Sequence, residues 1–235
     1  PLIADFGCTV EVMASLDGGR RTFALLRMKD TTISPVPGDD VRGYICIINA
    51  HDGSSALRGV LTPIRVVCQN TLTAATRGRH TTAVSIRHTK SAPERLKLAG
   101  EMIARMQEAM QQTGETYAGL AARSMNAKEL AAYIETVIPA TLDADGDIPK
   151  VIRERRATIA DLIFNGHHSQ ADGGADATKG VASAWRAYNA VTEYFDHERA
   201  REAKSPNART SAYDSALFGA NAQIKARALQ VLVAA

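Results

Sequence analysis

Aromatic residues make up only 5% of this 235-residue chain, with a single tryptophan, and cysteine is rarer still: Cys8, Cys46 and Cys68 are the whole complement. The three lie far apart in apolar runs and form no Cys-x-x-Cys pair. That spacing excludes a disulfide framework and a thiolate zinc site, and points to buried free thiols in a reducing compartment. Long hydrophobic runs are missing too. No stretch reaches the roughly 18 consecutive apolar residues that a membrane span requires, and no signal-peptide pattern opens the chain, so a cytoplasmic protein with no membrane partner is expected. Neither Gly-x-Gly-x-x-Gly nor a Gly-Lys-Ser/Thr ending occurs, which removes two common phosphate-cradling nucleotide sites. There is no internal repeat. What is present, 45% hydrophobic and 23% charged residues, excludes a wholly disordered chain and suffices for one core, with or without a helical annex. The chain opens on Pro1, and Leu2, Ile3 and Phe6 are apolar as though already inside a folded unit, so a further upstream segment is expected.

The net charge of +3 is unevenly spread. Residues 1–90 hold eleven Lys and Arg against seven Asp and Glu, a local +4, and the remainder carries −1. A basic, strand-rich part suits a polyanionic partner such as nucleic acid, although a solvated surface slightly richer in Arg accounts for the same numbers. Alternation over Thr9–Leu16, the turn residues Asp17-Gly18-Gly19 and the β-rich run Arg20–Met28 predict a hairpin. Thr31–Asp40, with Pro35, Pro37 and Gly38, reads as a loop or edge connection. Val41–Ala50 is apolar on both faces, as a central strand should be. His51-Asp52-Gly53-Ser54-Ser55 is a turn by composition, followed by a strand from Ala56 to about Arg65. Pro63 places that strand at an edge or bends it. Helical spacing over Val66–Arg77, stopped by Gly78, and a short strand over Thr82–Arg87 complete the first third.

From Ser91 the pattern changes. Leu96, Ala99, Ile103, Met106, Met110, Tyr117 and Leu120 form a heptad stripe, interrupted at Thr113, along a helix of roughly thirty residues that should pack on another helix or on a partner subunit. Ser91-Ala92-Pro93-Glu94 suits its start. Further helices are predicted over Asn126–Val137, capped by Asn126, over Ile148–Asn165, ended by Gly166, and over Val181–Ala200, with Ala184, Trp185, Tyr188, Val191, Thr192 and Phe195 on its buried side. Ser215–Val233 gives a short element and a closing helix. Between them, residues 167–180 form a polar, Gly-rich loop.

Several residue groups invite a chemical reading. His51-Asp52 resembles the pair of metal-dependent phosphohydrolases, but it heads a turn where those enzymes use helices, and further ligands are not evident. His167 and His168 with Asp172 and Asp176 are suitable metal ligand types in a loop without an i, i+4 partner. Gly173-Gly174 and Gly180 ahead of a helix resemble an anion-binding start without its lysine. The arginines are more suggestive. Strand alternation puts Arg21, Phe23, Leu25, Arg27 and Lys29 on one face, Arg58 and Arg65 flank the fourth strand, and Arg77, Arg79, Arg87, His88 and Lys90 follow. Arg forks pair with phosphates and an interleaved aromatic stacks a base, whereas Arg heads at a sheet rim simply cover apolar surface with their stems. Gln69 and Asn70 either cap backbone or contact a ligand.

Gly18-Gly19-Arg20-Arg21 before a strand, the polar block from His51 to Leu72, Ser85-Ile86-Arg87-His88-Thr89 and the stretch from Trp185 to Tyr194 together resemble a family of phage- and plasmid-associated proteins carrying a domain of unknown function, over nearly the whole chain. The resemblance implies DNA metabolism and transfers no activity. The order hairpin, strand, strand, helix is similar, at fold level only, to the core of single-strand annealing recombinases of the Red-beta and RecT type.

The expectation is therefore an α+β fold: a small antiparallel sheet with a packed helix over residues 1–90, then an α-helical region over 91–235 with a long heptad helix that favours self-association, the two packed as one unit. The leading function is single-stranded DNA binding and annealing by a homo-oligomer, with Arg21, Arg27, Arg58, Arg65, Asn70, Arg87 and Lys90 on the nucleic acid and Phe23 or Tyr44 stacking bases. It requires no catalytic residue, metal or cofactor. The alternatives are a phage or plasmid interaction protein that targets a host factor, or works beside a phage nuclease, and a metal-dependent hydrolase using His51 and Asp52.

Overall fold

The computed structural model describes residues 7–53, 56–65, 83–86, 99–167, 175–198 and 220–234. Cys8–Leu16 (β1), Arg21–Val36 (β2), Asp39–Ala50 (β3), Leu57–Arg65 (β4) and Ala83–Ile86 (β5) form an antiparallel meander in the order β1-β2-β3-β4-β5. The first turn needs its glycines: Gly18 and Gly19 have φ of 63° and 96°, a region that side chains avoid. As expected of a central strand, β3 buries Tyr44, Ile45 and Cys46 on alternating faces. The helix expected over residues 66–77 lies outside the described residues, as do residues 91–98 and Ser215.

Two sequence expectations change. The loop or edge connection foreseen over Thr31–Asp40 is mostly strand, because β2 continues to Val36 and turns only at Pro37-Gly38. Pro35 is tolerated because the register shifts between Ile33 and Val36, so its missing N–H breaks no regular ladder. Pro63 sits on an inner strand, yet β5 pairs only with Leu57–Val60. At Pro63 the ladder is to Gly43 of β3, and among the described residues nothing pairs on the other side.

One sheet face packs on Ala99–Ala122 (α1), whose Met110 lies among Cys8, Leu26, Met28 and Ile45. Two glycines permit the contact. A Cβ on Gly43 would stand 2.6 Å from Thr31 Oγ1 and 3.0 Å from Met110 Cγ, and one on Gly114 would stand 3.0 Å from Ile33 Cγ2. Further along α1, Tyr117 and Leu120 enter the main core with Ala184–Glu193 (α4). Met110, Tyr117 and Leu120 of the heptad stripe are thus spent inside the chain, against the sheet and a helix. Thr113 interrupts the stripe by turning its hydroxyl to the Ala109 carbonyl, 2.8 Å away.

Ala127–Val137 (α2) starts with the capping box foreseen at Asn126: its side chain accepts from the N–H groups of Lys128 and Glu129, and Glu129 accepts from the Asn126 N–H. Lys150–Asn165 (α3) and Ala220–Val233 (α5) follow the sequence pattern closely. The helix predicted from Val181 begins three residues later. Val181–Ser183 (β8) instead joins Ser124–Met125 (β6) and Ala175–Asp176 (β7) in a small sheet of order β6-β8-β7, and Ser183 caps α4 through the Arg186 N–H. After Glu193 the helix widens into a π-turn over Tyr194–Glu198.

All ten residues of α4 are buried, where the sequence suggested one buried side. Its polar side chains make this possible by finding partners inside. Arg186 donates to the carbonyls of Ile163 and Phe164, Asn189 to that of Trp185, and Thr192 to that of Asn189. Arg186 thereby closes the C-terminus of α3, as Arg156 closes α2 at the Ile138 carbonyl and Arg123 closes α5 at the Leu232 carbonyl. Guanidinium groups at helix C-termini satisfy orphan carbonyls and oppose the negative end of the dipole.

Candidate nucleic-acid interface on the sheet

The β1–β2 and β3–β4 turns lie at the same end of the sheet. The His51 N–H donates to the Arg20 carbonyl (2.8 Å), and His51 Nε2 lies 3.3 Å from Thr22 Oγ1. At this end the ladder sets Arg21 opposite Ala50, and Phe23, Ile48, Arg58 and Ser85 in one row across four strands. Arg21 and Phe23 are half-buried. Neighbouring strands are about 4.8 Å apart and alternate residues along a strand about 6.6 Å apart, so Phe23 is set within about 10 Å of both arginine positions along the backbone. Two cation positions and one aromatic ring are therefore brought to one corner.

The other sequence candidates separate from that corner. A bulge at Glu11, between Val10 and Val12, turns its carboxylate inward across β2. Glu11 Oε1 is 3.2 Å from Arg27 Nε, and Glu11 Oε2 accepts from the Tyr44 hydroxyl at 2.8 Å. Burial first, then the Glu11 bond and charge, raise the Tyr44 hydroxyl above its ordinary pKa, against the opposing effect of Arg42. With the Tyr44 ring only 6% exposed, Phe23 is the more accessible of the two stacking candidates. Arg65 stands opposite Val41 at the far end of β4, seven positions from Arg58 and hence on the alternate face. Asn70, Arg87 and Lys90 lie outside the described residues, as do Ser54 and Ser55.

Among the described residues, those weighed as metal ligands do not converge. His51 and Asp52 are exposed in a turn, and the His167 N–H donates to the Glu193 carboxylate. Asp176 accepts from the Thr178 hydroxyl and pairs with Lys179, which together hold its carboxyl below the usual range. His168 and Asp172 lie outside the described residues, among which no three His, Cys, Asp or Glu side chains are grouped to hold a metal ion. Burial pushes the Cys46 thiol up to about 12 and raises that of Cys8, so both are protonated, buried thiols at neutral pH. No helix among the described residues is long and apolar enough to cross a membrane.

Sequence reasoning missed the buried polar pairs of the helical part. Trp185 Nε1 donates to Asp39 Oδ2 at 2.7 Å, tying α4 to the first residue of β3, and the Trp185 ring stacks at 4.5 Å on Tyr117 and at 5.8 Å on Tyr188. Lys225 of α5 meets both oxygens of Asp196 in the π-turn, at 2.7 and 3.0 Å, with both side chains nearly inaccessible. Burial pushes the Asp196 carboxyl up to about 6 in spite of the lysine charge. The lone tryptophan was the only available signal for the first pair, and nothing in the sequence marked the second.

A family model, described as a domain of unknown function (DUF932), matches residues 1–217. The chain belongs to the DUF932 family. No curated protein and no solved structure matches it. The DUF932 match takes in both sheets and α1 to α4, so Asp196 falls within the matched range, whereas its partner Lys225 on α5 falls beyond it.

Proposed function

We propose that this DUF932 chain binds single-stranded DNA at the loop end of its five-stranded sheet and, as an oligomer, promotes annealing without a chemical step. The observation that carries the reading is the row Phe23-Ile48-Arg58 with Arg21 one step away. Arginine forks neutralise phosphates while a base stacks on Phe23, a contact worth roughly 1–3 kcal/mol per base and tolerant of sequence. The basic excess of residues 1–90 supports the same partner. Phage or plasmid DNA metabolism in the cytoplasm, and the fold-level likeness to Red-beta and RecT annealing proteins, belong to this reading.

Self-association draws its support from β1. Among the described residues it is an edge strand, and it exposes Val10, Val12 and Met13; an apolar edge strand readily pairs with another chain. The same strand favours the second reading, a mobile-element protein that docks on a host factor. Fluorescence anisotropy of a labelled single-stranded oligonucleotide at two salt concentrations separates them. Binding that weakens steeply with salt is expected. Absence of binding, or binding indifferent to ionic strength, overturns the first reading.

A further inference from the structure

The face of β2 that carries Arg21 and Phe23 continues to Arg27, four residues and about 13 Å beyond Phe23. A single strand leaving the corner along β2 would meet the Arg27 guanidinium next. That guanidinium is already engaged. The register sets Tyr44 opposite Arg27, and Glu11 reaches both: its Oε1 stands 3.2 Å from Arg27 Nε, and its Oε2 accepts from the Tyr44 hydroxyl at 2.8 Å. Both carboxylate oxygens thus take donors that a phosphate would use. The bulge between Val10 and Val12 re-aims this one side chain. Cys8–Leu16, Arg21–Lys29, Tyr44–Ala50 and Leu57–Arg65 together hold a single acidic residue, Glu11. An ion pair this exposed contributes little to stability, so the fold does not depend on the charge. With the Arg27 and Glu11 side chains 45% and 37% exposed, a polyanion can reach the pair, and the carboxylate meets it with charge of the same sign.

We propose that Glu11 is an internal substitute for phosphate that holds Arg27 out of the single-strand track and confines binding to the corner of Arg21, Phe23 and Arg58. The inference rests on the single-strand reading above and adds to it the residue that limits affinity. Once the Glu11 charge is gone, Arg27 is free to pair with a phosphate, and the track lengthens by one contact along β2.

The test uses the full chain and an end-labelled oligo(dT) of about twelve nucleotides, in the size range of small single-strand sites, with anisotropy followed over a range of salt concentrations. Glu11→Gln keeps the length of the side chain and an oxygen for the Tyr44 hydroxyl but removes the charge. Its affinity at low salt should rise about three- to tenfold, and the slope of log affinity against log salt should steepen by about 0.7, the worth of one phosphate contact. Glu11→Gln/Arg27→Ala should return both quantities to their wild-type values. Glu11→Ala supplies the same comparison if the glutamine variant fails to fold, as judged by circular dichroism. Binding by wild type with no gain in the folded Glu11 variant overturns the role of Glu11 and leaves the single-strand reading standing. A gain that persists in the double variant also overturns it, since Glu11 then acts by repulsion alone and not through Arg27. No binding by any of the proteins overturns both.

Discussion

The sheet and the helical part treat their charged residues in opposite ways. In the helical part, Arg186, Glu193 and Lys225 are buried, Arg186 bonded to the end of α3, Glu193 to the His167 N–H and Lys225 to Asp196. At the loop end of the sheet, Arg20 and His51 are exposed and Arg21 half-buried, with Phe23 beside them. Charge in the first region holds helices together, and charge in the second is placed where a ligand can reach it. Substitutions in the two regions should therefore fail in different assays.

The largest loss of stability is expected for Lys225→Ala, which leaves the Asp196 carboxylate buried without its cation. A cost of about 3–5 kcal/mol is typical of such a broken pair, read as a lower denaturation midpoint in urea. Next comes a pH effect of Asp196 itself. Because its folded pKa of about 6 lies above the unfolded value, the folded state holds the proton more tightly; that contribution is complete below about pH 4 and is lost as pH rises through 6. Wild type should thus lose up to roughly 3 kcal/mol relative to Asp196→Asn between pH 4 and 7, measured as the change in the difference between their unfolding free energies. Trp185→Phe removes the donor to Asp39 and should cost about 1.5–3 kcal/mol. Single-strand affinity in folded protein should be unchanged by it.

The double variant Arg21→Ala/Phe23→Ala should behave the other way. Its affinity for a single-stranded oligonucleotide is expected to fall at least tenfold, in line with the worth of one stacked base, while its melting transition stays cooperative. The smallest effect belongs to Arg27→Ala. Its ion pair with Glu11 is half exposed, so stability should change by about 0–1 kcal/mol and binding hardly at all. A strong binding defect in Arg27→Ala with none in the double variant would reverse the comparison.

How far the sequence foretold this contrast depends on the residue. Alternation along β2 placed Arg21 and Phe23 together because strand geometry is local. It also placed Arg27 with them, since the bulge that turns Glu11 onto Arg27 leaves no local mark. Asn126 revealed its cap because the capping box is written in four residues. The all-round burial of α4 was hidden because Arg186 and Asn189 read as solvent-facing until their carbonyl partners on α3 and α4 are known. Lys225 and Asp196 are 29 positions apart, and only tertiary packing brings them together.

The most direct test of the sheet corner is the salt dependence of single-strand affinity in wild type, Arg27→Ala and Arg21→Ala/Arg58→Ala. Each phosphate contact contributes about 0.7 to the slope of log affinity against log salt for single strands. The slope should therefore flatten by about 1.4 in the double variant and match wild type in Arg27→Ala. A slope unchanged by loss of Arg21 and Arg58 would contradict the account.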